Sequence, residues 1–440
     1  MHVVERFAEF GQTYRRRPIA PQVLHHAKRA VIDWYAALVP GARVAPATAL
    51  ERALAEELDH GDAHLALGRR ATIRAAALIN GAAAHSVEVD DIYRDGIYHP
   101  GAPTIAAALA VAQSRGATGE AFLRAVILGY EVSTRIAAAM GRAHYKYWHN
   151  TGTIGCFGAA SAAAELLGLD RKRFAHALAT VATFSAGLQQ AFRSDSMSKP
   201  MHAGRAAEAG VTAALAAAGG VTGALDIMEG EVGYGRAMGE GPDWERALAT
   251  LGEDFHICRM TFKNHACCGH AFAAIDGALA LKAQMGVAAA EIARVRVGGY
   301  RATLEVAGIA DPATAAEARF STPYLVATAL THGSVRLAAF EPARLQDPAT
   351  RSLMRRVEVV LAPELEAAFP AQRAARVAIE SRDGRRGEHL QPTRKGDPDM
   401  PLSDAELEHK YLELASPVLG EEPARTLLAR LWKLDRESRP

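Results

Sequence analysis

The sequence has 440 residues, of which 49% are hydrophobic and 22% charged, and it carries 50 Lys and Arg against 49 Asp and Glu. This composition is typical of a globular protein, and the lack of a basic excess argues against a nucleic-acid partner. No uninterrupted apolar run approaches the roughly 20 residues that a membrane span needs, and the N-terminal residues do not resemble a secretory signal. We therefore expect a cytoplasmic protein with no membrane partner.

The four cysteines predict neither a disulfide framework nor a cysteine-bound cluster. Cys267 and Cys268 are adjacent, and the sequence contains no C-x-x-C pair. Reduced thiols in an intracellular protein are the simplest interpretation.

The chain from residue 21 to about residue 251 is predicted to be almost entirely helical. Many of the segments are rich in Ala and Gly, which lets helix axes approach closely and favours a compact helical bundle. No fixed repeat period supports a helical solenoid instead. The predicted helices span residues 23–39, 47–58, 69–84, 104–115, 120–140, 155–167, 171–190 and 204–218.

The pattern changes after about residue 260. Alternating apolar and polar residues predict strands, two of which flank Asp383-Gly384 and form a hairpin. Helical segments lie between the strands, which is typical of an α+β module. The strands are predicted at 292–297, 356–361, 375–379 and 388–391, and the helices at 271–284 and 323–330.

The C-terminal stretch, residues 403–433, is predicted to be helical again and to return to the first domain. The predicted fold class is therefore mainly α, with a large all-helical domain built from both chain ends and a smaller α+β domain. The helical domain covers residues 1–260 and is completed by 403–440, and the α+β domain covers 261–402.

The segment from Ser196 to Arg205 concentrates positive charge at a predicted helix start. Pro200 favours the first helical position, which places Lys199 at the cap, His202 in the first turn and Arg205 about one turn further. A helix N-terminus is already positive, so cations there suit a carboxylate or phosphate guest rather than helix stability. The alternative is that Lys199 and Arg205 are solvated surface charges and His202 is a core histidine.

Two other loops repeat this arrangement, because His99 and His149 each come just before an Ala-rich helix. A histidine near a helix N-terminus tends to stay neutral, and a neutral imidazole suits proton transfer near pH 7. Asp90 and Asp91 would cap loop N–H groups, or would bind a metal together with His99, His149 and His202. We favour the metal-free interpretation and predict no metal and no cofactor.

The second domain adds weaker candidates. Lys263, His265 and His270 share one turn-like stretch, and Tyr324 stands at a predicted helix start. In the first domain, Tyr145 is by itself more typical of packing than of catalysis.

Several motifs together carry a family resemblance. The chain resembles the MmgE/PrpD family, which includes 2-methylcitrate dehydratase, cis-aconitate decarboxylase and iminodisuccinate epimerase. The motifs run in family order over nearly the whole length, so the resemblance is far more specific than any one motif. They are Ala84-His85-Ser-Val-Glu-Val-Asp90-Asp91 with His99-Pro100, Trp148-His149-Asn-Thr-Gly with Phe157-Gly-Ala-Ala, Lys199-Pro-Met-His202-Ala-Gly-Arg-Ala-Ala, Lys263 with Cys268 and Ala274-Ile-Asp276, Phe320-Ser-Thr-Pro-Tyr324, and Arg394-Lys-Gly-Asp-Pro398.

The resemblance implies a homodimer whose α+β domain is lid-like, with a metal-free active site between the two domains. The family positions that line this site match His99, His149, Lys199, Lys263 and Tyr324. The chain departs from the family at a few positions, which bears on the substrate rather than on the family. These are Glu88 in place of Asp, Gly101 and Asn150 in place of Ser and Pro, and His270 with Phe272 where many members have His.

The working hypothesis assigns roles by chemistry. Proton removal beside a carboxylate builds negative charge, which pre-aimed cations stabilise, and a second group must then donate a proton. Lys199 and Lys263 are expected to bind carboxylates, with Lys199 also a possible base, while His99 and His149 exchange protons. Asp90 would orient a histidine, and Tyr324 would supply a proton. Further substrate ligands are predicted at His202, Arg205 and His270.

The predicted function is that of a lyase that dehydrates or decarboxylates a small di- or tricarboxylic acid such as 2-methylcitrate. One alternative is an epimerase of the iminodisuccinate type, in which the resemblance implies that Lys199 and Tyr145 face each other across the substrate. A second alternative is a carboxylate-binding or purely structural helical protein. Its structural form predicts that Lys199, His149 and His99 lie on separate, exposed surfaces.

Overall fold

The computed structural model describes residues 1–192 and 196–440, and the chain divides into two units. The first unit comprises Met1–Thr261 and Ser403–Pro440, and the second comprises Phe262–Leu402. Among the described residues, no helix is both long enough and apolar enough to cross a membrane.

The first unit is dominated by helices, as the Ala- and Gly-rich pattern predicts. Its core contains fully buried aromatic side chains from several helices, among them Trp34, Phe122 and Phe157. The helices are α1 (Val3–Tyr14), α2 (Pro21–Gly41), α3 (Ala47–Ala53), α4 (Ile73–Ser86), α5 (Gly101–Arg115), α6 (Gly119–Tyr145), α7 (Asn150–Thr153), α8 (Gly155–Leu166), α9 (Arg171–Ala182), α10 (Ser198–Ala218), α11 (Tyr234–Met238) and α12 (Trp244–Leu248), with α20 (Asp404–Leu419) and α21 (Glu421–Trp432) from the C-terminal segment.

Small residues bring these helices close together. A Cβ atom on Gly81 of α4 would lie 2.9 Å from the Cα of Gly204 in α10, and one on Gly210 of α10 would lie 2.4 Å from the Cβ of Ala159 in α8. Such spacing leaves no room for a side chain, so α4, α8 and α10 depend on these glycines for their contact.

The expectation of an all-helical first domain is wrong at residues 58–71. There, β1 (Leu58–His64) and β2 (Arg70–Ala71) form a small antiparallel sheet, and α3 ends at Ala53 rather than continuing to residue 58. Asp59 and Gly61 both have positive φ angles, 66° and 81°, which no helix accommodates.

Two predicted helix ends also differ from the structure. Helix α9 ends at Ala182, well before residue 190, and α6 continues beyond residue 140 to Tyr145 across a non-helical Gly141 (φ 63°, ψ −164°).

Helix α10 begins at Ser198, so Lys199 lies inside its first turn instead of at the cap. Proline is tolerated throughout a first turn, because the N–H groups there have no intrahelical partner.

The second unit is the α+β module that the sequence predicts. Its sheet has the strand order β4-β3-β5-β6, with β3 and β4 parallel and the other pairs antiparallel. The strands are β3 (Ile292–Gly299), β4 (Val357–Leu361), β5 (Ala375–Ser381) and β6 (Arg386–Gln391), and the helices are α13 (Phe272–Met285), α14 (Arg301–Glu305), α15 (Ala315–Ala318), α16 (Thr322–His332), α17 (Pro342–Leu345), α18 (Pro348–Met354) and α19 (Pro363–Ala368).

Candidate active site

The first unit builds its polar centre on residues 88–91, which follow the end of α4. Glu88 has a left-handed backbone conformation with φ 60°. This conformation costs a non-glycine residue about 1–3 kcal/mol and is concentrated at functional sites. Each of these four residues contacts a different polar partner. Glu88 pairs with Lys199, and the Val89 carbonyl accepts from Lys410. Asp90 contacts His85 and His99, and Asp91 contacts Tyr130 and the Gly101 N–H.

Asp90 lies between two histidines. Its Oδ2 is 2.7 Å from Nδ1 of His85 and 3.2 Å from Nδ1 of His99. The Asp90 side chain is 1% exposed, His85 is fully buried, and the His99 side chain is 15% exposed, so His99 is the member that solvent reaches. Burial alone would raise the pKa of Asp90, but His85 and His99 hold it well below its ordinary value. Asp90 is therefore the carboxylate that orients both rings.

Four imidazole rings form a continuous row from this carboxylate. Ring centroids are separated by 4.8 Å between His99 and His85, by 5.4 Å between His85 and His149, and by 5.2 Å between His149 and His202. The Nδ1 atoms of His149 and His202 lie 3.0 Å apart, within hydrogen-bond distance. The row thus links residues from α4, the loops before α5 and α7, and α10.

Two rings of the row, His149 and His202, favour the neutral form. Burial lowers the pKa of His149 well below its ordinary value, with further lowering by His85 and by the Lys199 ammonium. Burial, His85 and Lys199 also lower the pKa of His202. Neutral imidazoles can each accept a proton at one nitrogen and donate one at the other, as general acid–base catalysis requires.

Backbone contacts hold His149 and His202 in this arrangement. The N–H of His149 donates to the carbonyl of Gly187 at 2.9 Å. A Cβ on Gly187 would come within 3.3 Å of the His202 ring, and one on Gly152 within 3.1 Å of the His202 Cβ. Gly187 has φ 140°, so both its size and its conformation favour glycine.

Lys199 lies at the start of α10 and forms an ion pair with Glu88. Their side chains are 22% and 32% exposed, so both remain accessible to a small solute. A substrate carboxylate could replace Glu88 as the partner of the Lys199 ammonium. This is the position at which the first unit could bind an anion beside the histidine row.

Two other predicted residues of the first unit have contacts away from the row. Arg205 has a 53% exposed side chain and pairs with Glu208, which also accepts from Arg74 at 2.7 Å. Those contacts do not favour Arg205 as a substrate ligand. Tyr145 is half-buried at the end of α6, and its backbone carbonyl accepts from Gln189 at 2.7 Å. Its acid–base role stays a prediction.

The second unit holds Lys263, His270 and Tyr324. Lys263 is 7% exposed, and Nδ1 of His270 lies 2.9 Å from the hydroxyl of Tyr300. Tyr324 is fully buried in α16, and its hydroxyl donates to the carbonyl of Ala339. This hydrogen bond would have to break before the phenol could protonate a substrate, so the predicted role of Tyr324 requires a rearrangement.

The second unit also concentrates positive charge around His270. Burial, followed by Arg373 and Arg394, lowers the pKa of His270 to about 4. Burial raises the pKa of the Cys268 thiol, although Lys263, Arg373 and Arg394 all act to lower it. His270 is therefore a neutral imidazole near several cations, an environment that suits an anionic ligand.

A metal ion is the alternative occupant of the His85–Asp90–His99 group. The three ligand-type atoms lie within 4.8 Å of one another. However, the 2.7 Å between His85 Nδ1 and Asp90 Oδ2 is shorter than the roughly 3.4 Å that separates two ligands in a tetrahedral site with metal bonds near 2.1 Å. The geometry fits a shared proton between these atoms better than a shared metal.

No role was predicted from the sequence for His85, Glu88 or Tyr130, all of which belong to this polar centre. His85 is five residues before Asp90, a spacing that crosses the end of a helix and carries no periodic pattern. Glu88 was detectable as the acid that replaces the usual Asp. For Tyr130, on α6, no local signal exists, because its partner Asp91 is 39 residues away in sequence.

Comparison with known proteins agrees with this architecture. The MmgE/PrpD N-terminal domain matches residues 5–247, and the MmgE/PrpD C-terminal domain matches residues 265–435. The chain is 28% identical to a cis-aconitate decarboxylase-like protein of Aspergillus oryzae over 430 residues, covering 92% of this chain and 88% of the relative. It is 26% identical to human cis-aconitate decarboxylase over 371 residues, covering 82% and 76% of the two chains. The two domain matches together span most of the sequence, so the chain belongs to the MmgE/PrpD family.

Proposed function

We propose that this protein is a lyase that decarboxylates or dehydrates a small di- or tricarboxylic acid, with the histidine row as its proton-transfer apparatus. The observation that carries the proposal is the row itself, four imidazoles in contact with one another, of which His149 and His202 have lowered pKa values beside the Lys199 ammonium. The scattered, exposed arrangement of a purely structural protein does not fit this geometry.

Both lyase reactions need the same elements. Dehydration removes a proton beside a carboxylate and protonates the departing hydroxyl, whereas decarboxylation releases CO2 and protonates the carbon that keeps the electron pair. In each case a cation stabilises the carboxylate on which charge develops. Lys199 supplies that cation, and His99 and His149 are the proposed proton carriers, with Asp90 fixing the orientation of His99.

A polycarboxylate is the substrate class that best matches the charges. Lys199 gives the first unit a cation beside the row, which suits one carboxylate. Taken by itself, the second unit has a cation-rich part that contains Lys263, and this part also suits a carboxylate. The similarity to cis-aconitate decarboxylases makes cis-aconitate the first acid to test, with 2-methylcitrate and citrate next. We also propose that the protein is a homodimer, which analytical ultracentrifugation would test.

The proposal is tested by incubating the protein in D2O with cis-aconitate, 2-methylcitrate, citrate and a chiral amino dicarboxylate, and by following each by proton NMR. Loss of one carbon with deuterium in the product indicates a decarboxylase, and a new alkene at constant carbon number indicates a dehydratase. Deuterium exchange with neither change would favour the epimerase, with Lys199 and Tyr145 as its acid–base pair. A folded protein that alters none of these acids would contradict the proposal.

A further inference from the structure

Asp91 connects two helices at the base of the His99 loop. Its side chain is buried, its Oδ1 accepts the N–H of Gly101 at 3.0 Å, and its Oδ2 lies 2.8 Å from the Tyr130 hydroxyl. Gly101 is the first residue of α5 and follows His99 by two positions, while Tyr130 lies in the middle of α6. Asp91 therefore fixes the point at which the His99 loop becomes a helix.

The close fit at Gly101 indicates how tightly this point is defined. A Cβ there would lie 2.7 Å from the Tyr130 hydroxyl oxygen and 2.8 Å from Oδ1 of Asp91. Real Cβ contacts are not this short, so the side chains of Asp91 and Tyr130 occupy the space that a larger residue would need. The loop is held from its other side as well, because the N–H of His99 donates to Thr151 Oγ1 at 3.3 Å.

We propose that Asp91 is a positioning residue, which sets the orientation of His99 against Asp90 by anchoring Gly101 and Tyr130. The catalytic consequence rests on the proposed function, in which His99 carries protons. The anchoring itself does not, since it is a property of the folded first unit. From the sequence, Asp91 was predicted only to cap a loop N–H or to bind a metal, and Tyr130 was given no role.

The charges around Asp91 identify the form in which it acts. Asp90 lies beside it on the same segment. Three titratable groups from other elements also face it, namely Asp33 on α2, Tyr98 before α5 and Tyr130 on α6. Asp33 is itself hydrogen-bonded to Lys410 of α20. Burial and then Asp33 raise the pKa of Asp91 to about 8, although Tyr130 and the Gly101 N–H act to lower it. This raised pKa predicts that Asp91 is largely protonated at pH 7, and a protonated carboxyl can donate to the Tyr130 oxygen, whereas an ionised one accepts from the Tyr130 hydroxyl.

An asparagine can reproduce this protonated form. Its carbonyl would accept from Gly101 and its NH2 group would donate to Tyr130, whereas it can never ionise. Asp91→Asn is therefore the conservative substitution and Asp91→Leu the disruptive one. Glu131→Gln is the matched control, because Glu131 is an equally buried carboxylate that binds Arg135 and the His256 N–H instead.

The experiment combines activity with a readout that needs no substrate. Proteins labelled with 15N-histidine are titrated between pH 6 and 9.5 and followed by NMR, and the His99 ring signals are assigned by their absence in His99→Gln. In parallel, kcat and KM are measured for cis-aconitate. In wild type the His99 signals should shift with a midpoint near pH 8 and kcat should fall above it, and both changes should be absent in Asp91→Asn. At pH 7 Asp91→Asn should retain kcat within about threefold, and a folded Asp91→Leu should lose about tenfold or more with little change in KM.

The proposal is overturned if wild type and Asp91→Asn show the same pH dependence of the His99 signals and the same dependence of kcat on pH above pH 8. A folded Asp91→Leu with wild-type kcat would overturn it too. If Asp91→Leu does not fold, the comparison of Asp91→Asn with Glu131→Gln still decides, because only Asp91→Asn should abolish the shift. If wild type consumes no acid, the proposed function fails, and the His99 titration alone decides the role of Asp91.

Discussion

The Nδ1 atoms of His149 and His202 lie 3.0 Å apart, so one of the two nitrogens donates a hydrogen bond and the other accepts it. Two protonated rings could not approach in this way, because both nitrogens would be donors. The contact therefore requires that at least one ring is neutral, which agrees with the lowered pKa values of both.

The first prediction concerns acid pH. Because the pKa of each ring is lowered from 6.5 in the folded state, the unfolded chain binds more protons at mildly acid pH, and stability is lost as the pH falls below 6.5. The melting temperature of wild type should therefore fall more steeply from pH 7 to pH 5 than that of His202→Gln. His409→Gln, in which the replaced side chain is 71% exposed, is the control and should follow wild type. Parallel curves for wild type and His202→Gln would contradict this account.

The second prediction concerns the charge at the start of α10. Lys199→Met should lower kcat/KM by about a hundredfold or more, because a cation that stabilises developing charge is lost. Its ion pair with Glu88 is partly exposed, so the free energy of unfolding should change by no more than about 1 kcal/mol. Arg205→Met removes a cation from the same helix and should leave kcat/KM unchanged, which enzyme assays and urea unfolding would check. Equal losses in the two variants would argue against a specific role for Lys199.

The third prediction concerns the carboxylate that joins His85 and His99. Asp90→Asn keeps the shape of the side chain but removes the charge that orients both rings, so kcat should fall by about a hundredfold or more. Steady-state kinetics would measure the loss, and circular dichroism would establish that the variant is folded. Glu165→Gln, another buried acid, which pairs with Arg15 at 3.0 Å, should retain wild-type kcat. Full activity in Asp90→Asn would remove Asp90 from the site.

The fourth prediction concerns the C-terminal segment. Lys410 of α20 is fully buried, and its ammonium donates to Asp33 at 2.5 Å and to the Val89 carbonyl at 2.7 Å. Lys410→Met leaves Asp33 buried without this partner, so the free energy of unfolding should fall by about 3–5 kcal/mol. The double variant Lys410→Met with Asp33→Leu should recover part of that loss in urea unfolding. A smaller loss in the single variant than in the double variant would contradict the pairing.

The sequence predicted those parts of the fold that depend on local pattern. Residues 292–297 alternate because one side of β3 is buried, and the small residues of α4, α8 and α10 mark close helix packing. The small sheet at residues 58–71 was not predicted, because its pairing depends on contacts such as the Thr72 N–H to the Glu57 carbonyl rather than on side-chain periodicity.

The candidate site was predictable as a set of residues but not as an arrangement. His99 and His149 could be identified from their positions in loops before Ala-rich helices and from the family motifs, since both features involve only residues that are neighbours in the sequence. The row that joins them passes through His85, and nothing in the spacing of 14 residues between His85 and His99 indicates ring contact. The Asp33–Lys410 pair joins residues 377 positions apart and could be found only in the folded chain.

Whether the histidine row carries the protons is measured by the rate at which wild type, His149→Gln and Arg205→Met consume one acid, the member of the NMR panel that wild type converts fastest. We expect Arg205→Met to match wild type and folded His149→Gln to be slower by about a hundredfold or more, because the histidine row is then interrupted. Turnover by His149→Gln at the wild-type rate would contradict this expectation.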